Sequence, residues 1–132
     1  MGQFYVAVYI AAFPDTTFVL MHMGYPYQDE YIALAKHYAN AYIDLCWAWI
    51  INPVATVRFV REFLVAAPAS KLFTFGGDYS TVELVVGHAY MARHGLAQAL
   101  RELVQTQWIT QQDAFDLVDP LMHANARQVF RL

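Results

Sequence analysis

Charge and cysteine are what this chain has least of. Only 14% of its 132 residues are Asp, Glu, Lys or Arg, and the formal net charge is -3. That balance leaves no basic patch and no acidic tail, so a nucleic-acid partner is not expected. A single cysteine, Cys46, excludes an internal disulfide and suits a reducing compartment. No apolar run reaches the length needed to span a bilayer, so no membrane partner is expected either. The start, MGQFYVAVYIAAF, lacks the basic region of a signal peptide. Gly2 is present, but Val6 stands where a myristoylation motif needs Ser or Thr. The expected location is the cytoplasm.

Hydrophobic residues are abundant instead, at 58%. The length suits one compact domain over residues 1–132, and small domains expose much of their chain. So apolar a composition means either a sticky surface or a chain that belongs inside something larger.

The most informative stretch is residues 71–83, KLFTFGGDYSTVE. Its apolar run, 72–75, has the character of a strand buried on both faces, ended by Gly76 and Gly77. Asp78 stands where that strand emerges, and Ser80 and Glu83 have the S-x-x-E spacing of a helix start. Carboxylates at the carboxyl ends of parallel strands sit where α/β folds gather their chemistry. A polar turn residue after Gly-Gly is the plainer explanation of Asp78, and this stretch alone leaves both open.

The rest of the chain repeats this grammar. Residues 4–13 are apolar and aromatic, a strand or a buried helix end, and stop at Pro14-Asp15. Residues 17–21 (TFVLM) predict a strand tipped by His22, and residues 28–38 have helical spacing. Residues 41–45 (AYIDL) predict a second strand running into Cys46, Trp47, Ala48 and Trp49. Asn52-Pro53 opens a helix that ends before Pro68. The strand at 71–75 is the third. A long helical region follows to about residue 104, with a kink or break expected near Gly95. Thr110 with Asp113 offers a second capping box, Pro120 interrupts, and residues 122–130 close the chain as helix. Strands alternating with helices predict parallel βαβ units, and so an α/β fold. In a parallel sheet the three tips share one edge, which brings His22 and Asp78 together, raw material for a metal site or a proton relay.

The segments TFVLMHMGYPY, NAYIDLCWAWIINP, SKLFTFGGDYSTVE, GHAYMAR and MHANARQVF, in this order and spacing, resemble the C-terminal part of the amidohydrolase-related metal-dependent hydrolases. They are most similar to the amidohydrolase domain that some proteins carry ahead of a glutamine-synthetase-like domain. The resemblance covers essentially the whole chain and implies the C-terminal portion of a (β/α)8 barrel, about three βα units corresponding to its sixth to eighth strands. By it, Asp78 matches the eighth-strand aspartate that binds the metal and accepts a proton from the nucleophilic water. His22 matches the sixth-strand histidine that polarises the substrate or, in binuclear members, binds the second metal. Tyr25 resembles a pocket residue, and Trp47 or Trp49 is expected to line the pocket while the other packs. Glu83 matches a glutamate that faces substrate in relatives, though a helix cap explains it as well. Arg93 has the planar fork to bind a substrate carboxylate, against the commoner fate of a solvated helix residue. His37 and His94 read as surface residues, and His123 as packing. Cys46 has no basic neighbour in sequence, which argues against a nucleophile.

The family's His-x-His on its first strand, and its ligands on the fourth and fifth, have no counterpart here. One ligand falls short of the three or four that a zinc site wants. The implied function is hydrolysis of an amide or related C–N bond, or a related decarboxylation, of a small-molecule substrate by a metal-activated water. Zinc is the expected metal, or else manganese. The chain is expected to need the remaining barrel half or to self-associate, exposing an inner sheet face of Phe18, Leu20, Ile43, Leu45, Leu72 and Phe73. The alternative is a non-catalytic α/β fragment that binds a partner chain or serves as a subunit of a split barrel.

Overall fold

The computed structural model describes residues 2–132. Helix α1 (Gly2–Ala12) leads into strand β1 (Phe18–Met21), then α2 (Gln28–His37) and β2 (Ala41–Asp44). The short α3 (Ala48–Ile51) and α4 (Pro53–Ala66) precede β3 (Leu72–Phe73), and α5 (Val82–Gln105) follows it. Helix α6 (Gln111–Asp119), a π-helical turn (Pro120–Ala124) and α7 (Asn125–Phe130) close the chain. The strands form one parallel sheet in the order β1-β2-β3. The chain is therefore α/β, as its alternating pattern predicts.

Local signals explain most boundaries. Asn52 caps α4 by accepting from the Ala55 N–H at 3.0 Å, with Pro53 in the first turn where its missing N–H costs nothing. Thr110 and Asp113 make the reciprocal capping box of α6. The box expected from Ser80 and Glu83 does not form. Helix α5 begins after Thr81 with no side-chain cap, because the chain from Gly76 to Ser80 stays irregular. Residues 4–12 resolve into helix, with Ile10 buried against Leu34 and Ala41. The side-chain amide of Asn40 holds the end of that helix through the carbonyls of Ile10, Phe13 and Thr16.

Strand facing overturns one expectation. Register sets Leu20, Ile43 and Leu72 side by side, and Met21, Asp44 and Phe73 side by side. Side chains alternate across a strand, so these two rows lie on opposite faces. The row with Ile43 and Leu72 packs with Leu45, Trp49, Phe59, Phe63 and Leu96 in the main core, under the helices. Of the six residues expected on an open inner face, only Phe73 lies opposite this core, where it stacks on Tyr42 and meets Phe130 of α7. The face away from the core thus carries Val19, Met21, Tyr42, Asp44 and Phe73.

Three further expectations fail. Helix α5 runs unbroken through Gly95, because that glycine is there to admit Trp49: a Cβ would stand 2.1 Å from the indole Cζ3. Strand β3 ends after two residues because Thr74 turns to another partner. Its N–H and hydroxyl both donate to the Leu121 carbonyl, at 3.0 and 2.9 Å, while its own carbonyl accepts from Trp49 Nε1 at 2.7 Å. His123 does not pack; it is exposed and pairs with Asp119 at 3.3 Å.

Two polar side chains tie the far end of the sheet. The Lys71 ammonium donates to the Ala35 carbonyl at 2.8 Å and to that of Tyr38, satisfying the free C-terminal end of α2. Buried Asn125 donates to the carbonyls of Ala69 and Leu72, at 2.8 and 3.0 Å, and so docks α7 on β3. Asn125→Leu keeps the branched shape and strips both carbonyls of their partner. The expected loss is about 2–3 kcal/mol, read as a lower urea midpoint with an unchanged slope. An unchanged midpoint would mean that α7 is held elsewhere.

Candidate active site at the carboxyl edge of the sheet

After each strand, and before the next helix, comes a non-glycine residue in the left-handed region. His22 has φ 60° after β1, Cys46 has φ 31° after β2, and Asp78 has φ 45° beyond β3. Such residues are uncommon, and their strain persists only where surroundings hold it, which happens most at functional sites. Three on one sheet edge set this end apart from the other. The β1 tip continues through Met23 (φ 48°) and Gly24 (φ 67°), and the Tyr25-Pro26 peptide is cis. Gly24 is confined by Tyr31, whose ring a Cβ would meet at 2.3 Å. Gly76 lets the third tip pass over the second, since a Cβ there would lie 3.3 Å from Cys46 Sγ.

The edge is dense in charge. Asp44 ends β2, and its carboxylate accepts the Cys46 N–H at 2.8 Å, turning the chain. Burial pushes the Asp44 carboxyl up, the Cys46 hydrogen bond and the His22 charge pull it down, and the Asp78 charge pushes it up again. Burial, with the charges of Asp44 and Asp78 behind it, holds the Cys46 thiol up to about 11. Cys46 is therefore a buried, unionised thiol rather than a nucleophile. His22 Nδ1 accepts the Trp47 N–H at 3.4 Å, so the neutral ring carries its proton on Nε2, as a donor.

Asp44 gives this edge a pH signature. Its folded value lies above the unfolded one, so the folded chain keeps a proton that the unfolded chain has already lost. Stability falls as pH rises from the unfolded value, 3.8, through the folded one. Asp44→Asn keeps the acceptor for Cys46 and removes the titration. Urea midpoints across the acid range are expected to show the variant gaining on the natural chain as pH rises through that window. A constant difference would contradict the burial of this carboxylate.

The sheet edge therefore gathers His22, Asp44, Cys46 and Asp78. Trp47 is half-buried beside them with its ring 5.3 Å from that of Tyr79, while Trp49 is wholly buried in the core. Tyr25 is exposed on the β1 tip, and its hydroxyl accepts from Asn52 at 3.3 Å. Glu83 is exposed in the first turn of α5. Arg93 is exposed farther down that helix, roughly 16 Å from its start at 1.5 Å per residue, and is not brought to the edge. Sequence reading misses Asp44, although a carboxylate closing an otherwise apolar strand is the visible signal.

The donor chemistry suits a divalent cation in kind and falls short in number. The Asp78 charge makes Asp44 harder to ionise, and a cation beside the two carboxylates would relieve that repulsion. Yet among the described residues no three of His, Cys, Asp and Glu converge closely enough to hold one. Asp78 itself is exposed at the edge. Also among the described residues, no helix is long and apolar enough to cross a membrane.

Protein fluG of Emericella nidulans is 27% identical over 126 residues, which cover 93% of this chain and 14% of that protein. The chain thus spans about a seventh of the curated relative it matches. No solved structure matches. The family model described as amidohydrolase matches residues 3–132, nearly the whole chain. The chain belongs to the amidohydrolase family.

Proposed function

We propose that this chain supplies the last three βα units of a (β/α)8 barrel, and with them part of the active site of a metal-dependent hydrolase acting on amide or related C–N bonds. The observation that carries the proposal is the shared carboxyl edge of three parallel strands, where His22 follows β1, Asp44 and Cys46 close β2, and the loop after β3 carries Asp78. Active sites of such barrels form at that edge. Family membership supports a hydrolase, and the outer edges of β1 and β3, unpaired among the described residues, support completion by further strands.

Asp78 would hold the metal at the solvent-exposed tip of its loop, with the other ligands coming from outside this chain. A divalent metal bound there supplies a water acidic enough to ionise near neutral pH. Asp78, an exposed carboxylate at that edge, would serve there as the proton acceptor. His22, with its proton on Nε2, donates to the carbonyl oxygen as negative charge develops there. Asp44, next to both, keeps His22 in a negative field and sets the chain direction into Trp47. Trp47 and Tyr25 would wall the substrate.

The test is complementation. The chain is mixed with a polypeptide carrying the first five βα units of a family barrel, with zinc or manganese, and assayed on a panel of amides. Neither part alone should turn over, and the mixture should. If light scattering shows a complex and no amide is hydrolysed with either metal, the catalytic reading fails and a binding role remains.

A further inference from the structure

We propose that His88 is a positioning residue, which holds the loop bearing Asp78 by donating its Nδ1–H to the Gly77 carbonyl. Among the described residues, no backbone-to-backbone hydrogen bond involves residues 75–80, so side chains must hold this loop. His88 lies 3.3 Å from the Gly77 oxygen through Nδ1, one residue before left-handed Asp78. Its ring fits between Phe75 and Tyr79, at 5.1 and 5.7 Å between centroids, so it grips the loop on both sides of the glycines.

His88 is also out of place by composition. It heads the buried row of α5 that continues through Ala92, Gly95, Leu96 and Ala99, and is itself 1% exposed. Its Nε2 finds no partner among the described residues. An apolar side chain would fill such a row without stranding a polar atom. What histidine adds is one donor aimed at the loop. A carbonyl only accepts, so the bond requires the proton on Nδ1, and the neutral ring then leaves Nε2 bare. This is the reverse of His22, whose Nδ1 is the acceptor. The consequence for turnover rests on the role proposed for Asp78; the hold on the loop does not.

Two measurements on the chain test this without turnover. Nitrogen-15 NMR of the imidazoles should show His88 as the Nδ1–H tautomer, and an Nε2–H tautomer would overturn the proposal. The second uses Cys46, the single cysteine, which lies under Gly76 and so reports whether the loop is closed. His88→Leu should speed iodoacetamide labelling of Cys46 by about tenfold, the scale of one lost hydrogen bond, at a rate independent of low urea, as local opening requires. His88→Asn, whose side-chain amide reaches toward the Nδ1 position, should restore protection. Labelling that stays at the natural rate in His88→Leu, or that rises only with urea through global unfolding, overturns the proposal. Should the leucine variant not fold, the tautomer decides alone. Failure here leaves Asp78 as a ligand untouched, and failure of Asp78 leaves this result standing.

Discussion

Trp49→Ala is expected to abolish the cooperative melt of this chain. The indole is wholly buried, reaches across to Gly95 of α5, and donates Nε1–H to the Thr74 carbonyl at 2.7 Å. Emptying such a site costs about 3–5 kcal/mol, and the stranded Thr74 carbonyl adds about 1–3 kcal/mol. Domains hold only about 5–15 kcal/mol in total. Gly95→Ala attacks the same contact from the other side. The new methyl would overlap the ring, neither partner can retreat, and overpacking costs about 1–3 kcal/mol. The two sites touch, so their effects should not add. Trp49→Leu vacates the Cζ3 position, and the double variant Trp49→Leu/Gly95→Ala should lose less than the sum of its parts by urea denaturation. Strict additivity would contradict the packing described.

Asp78→Asn should remove turnover from the complemented enzyme while leaving the fold intact. The change subtracts a charge and, with it, the ligand and proton acceptor proposed above, but almost no volume, and the residue is exposed. A loss of about 10³-fold or more in kcat is expected, within the range for a positioned acid or base. His22→Asn should cost less and spare the bound metal, since its proposed part is donation to the substrate oxygen. Circular dichroism of both variants should overlay that of the natural chain. Near-normal kcat in Asp78→Asn would remove Asp78 from the mechanism.

Some of this is readable in the sequence, and the rest is hidden for identifiable reasons. Strand positions are legible because apolar runs stop at turn residues, and parallel pairing follows from the helices between them. The caps at Asn52 and Thr110 are legible because their partners lie within three residues. Facing is hidden, since Leu20, Ile43 and Leu72 sit in runs with no polar alternation to mark a side. The early end of β3 is hidden too, because what competes for Thr74 is Leu121, far along the chain. Ser80 and Glu83 have the spacing of a cap without the turn that would use it. Gly95 reads as a breaker because its role depends on Trp49, in another element. The edge is half legible: His22 and Asp78 stand out beside loop breakers, whereas Asp44 and His88 lie within largely apolar segments.

The most direct measurement is metal content. After dialysis, the complemented complex should retain close to one equivalent of zinc by atomic absorption, and neither part alone should. With Asp78→Asn in the complex, retained zinc should fall at least about tenfold, the effect of losing one of three or four ligands. Equal zinc in the natural and Asp78→Asn complexes, or a hydrolytically active complex with none, would contradict the account.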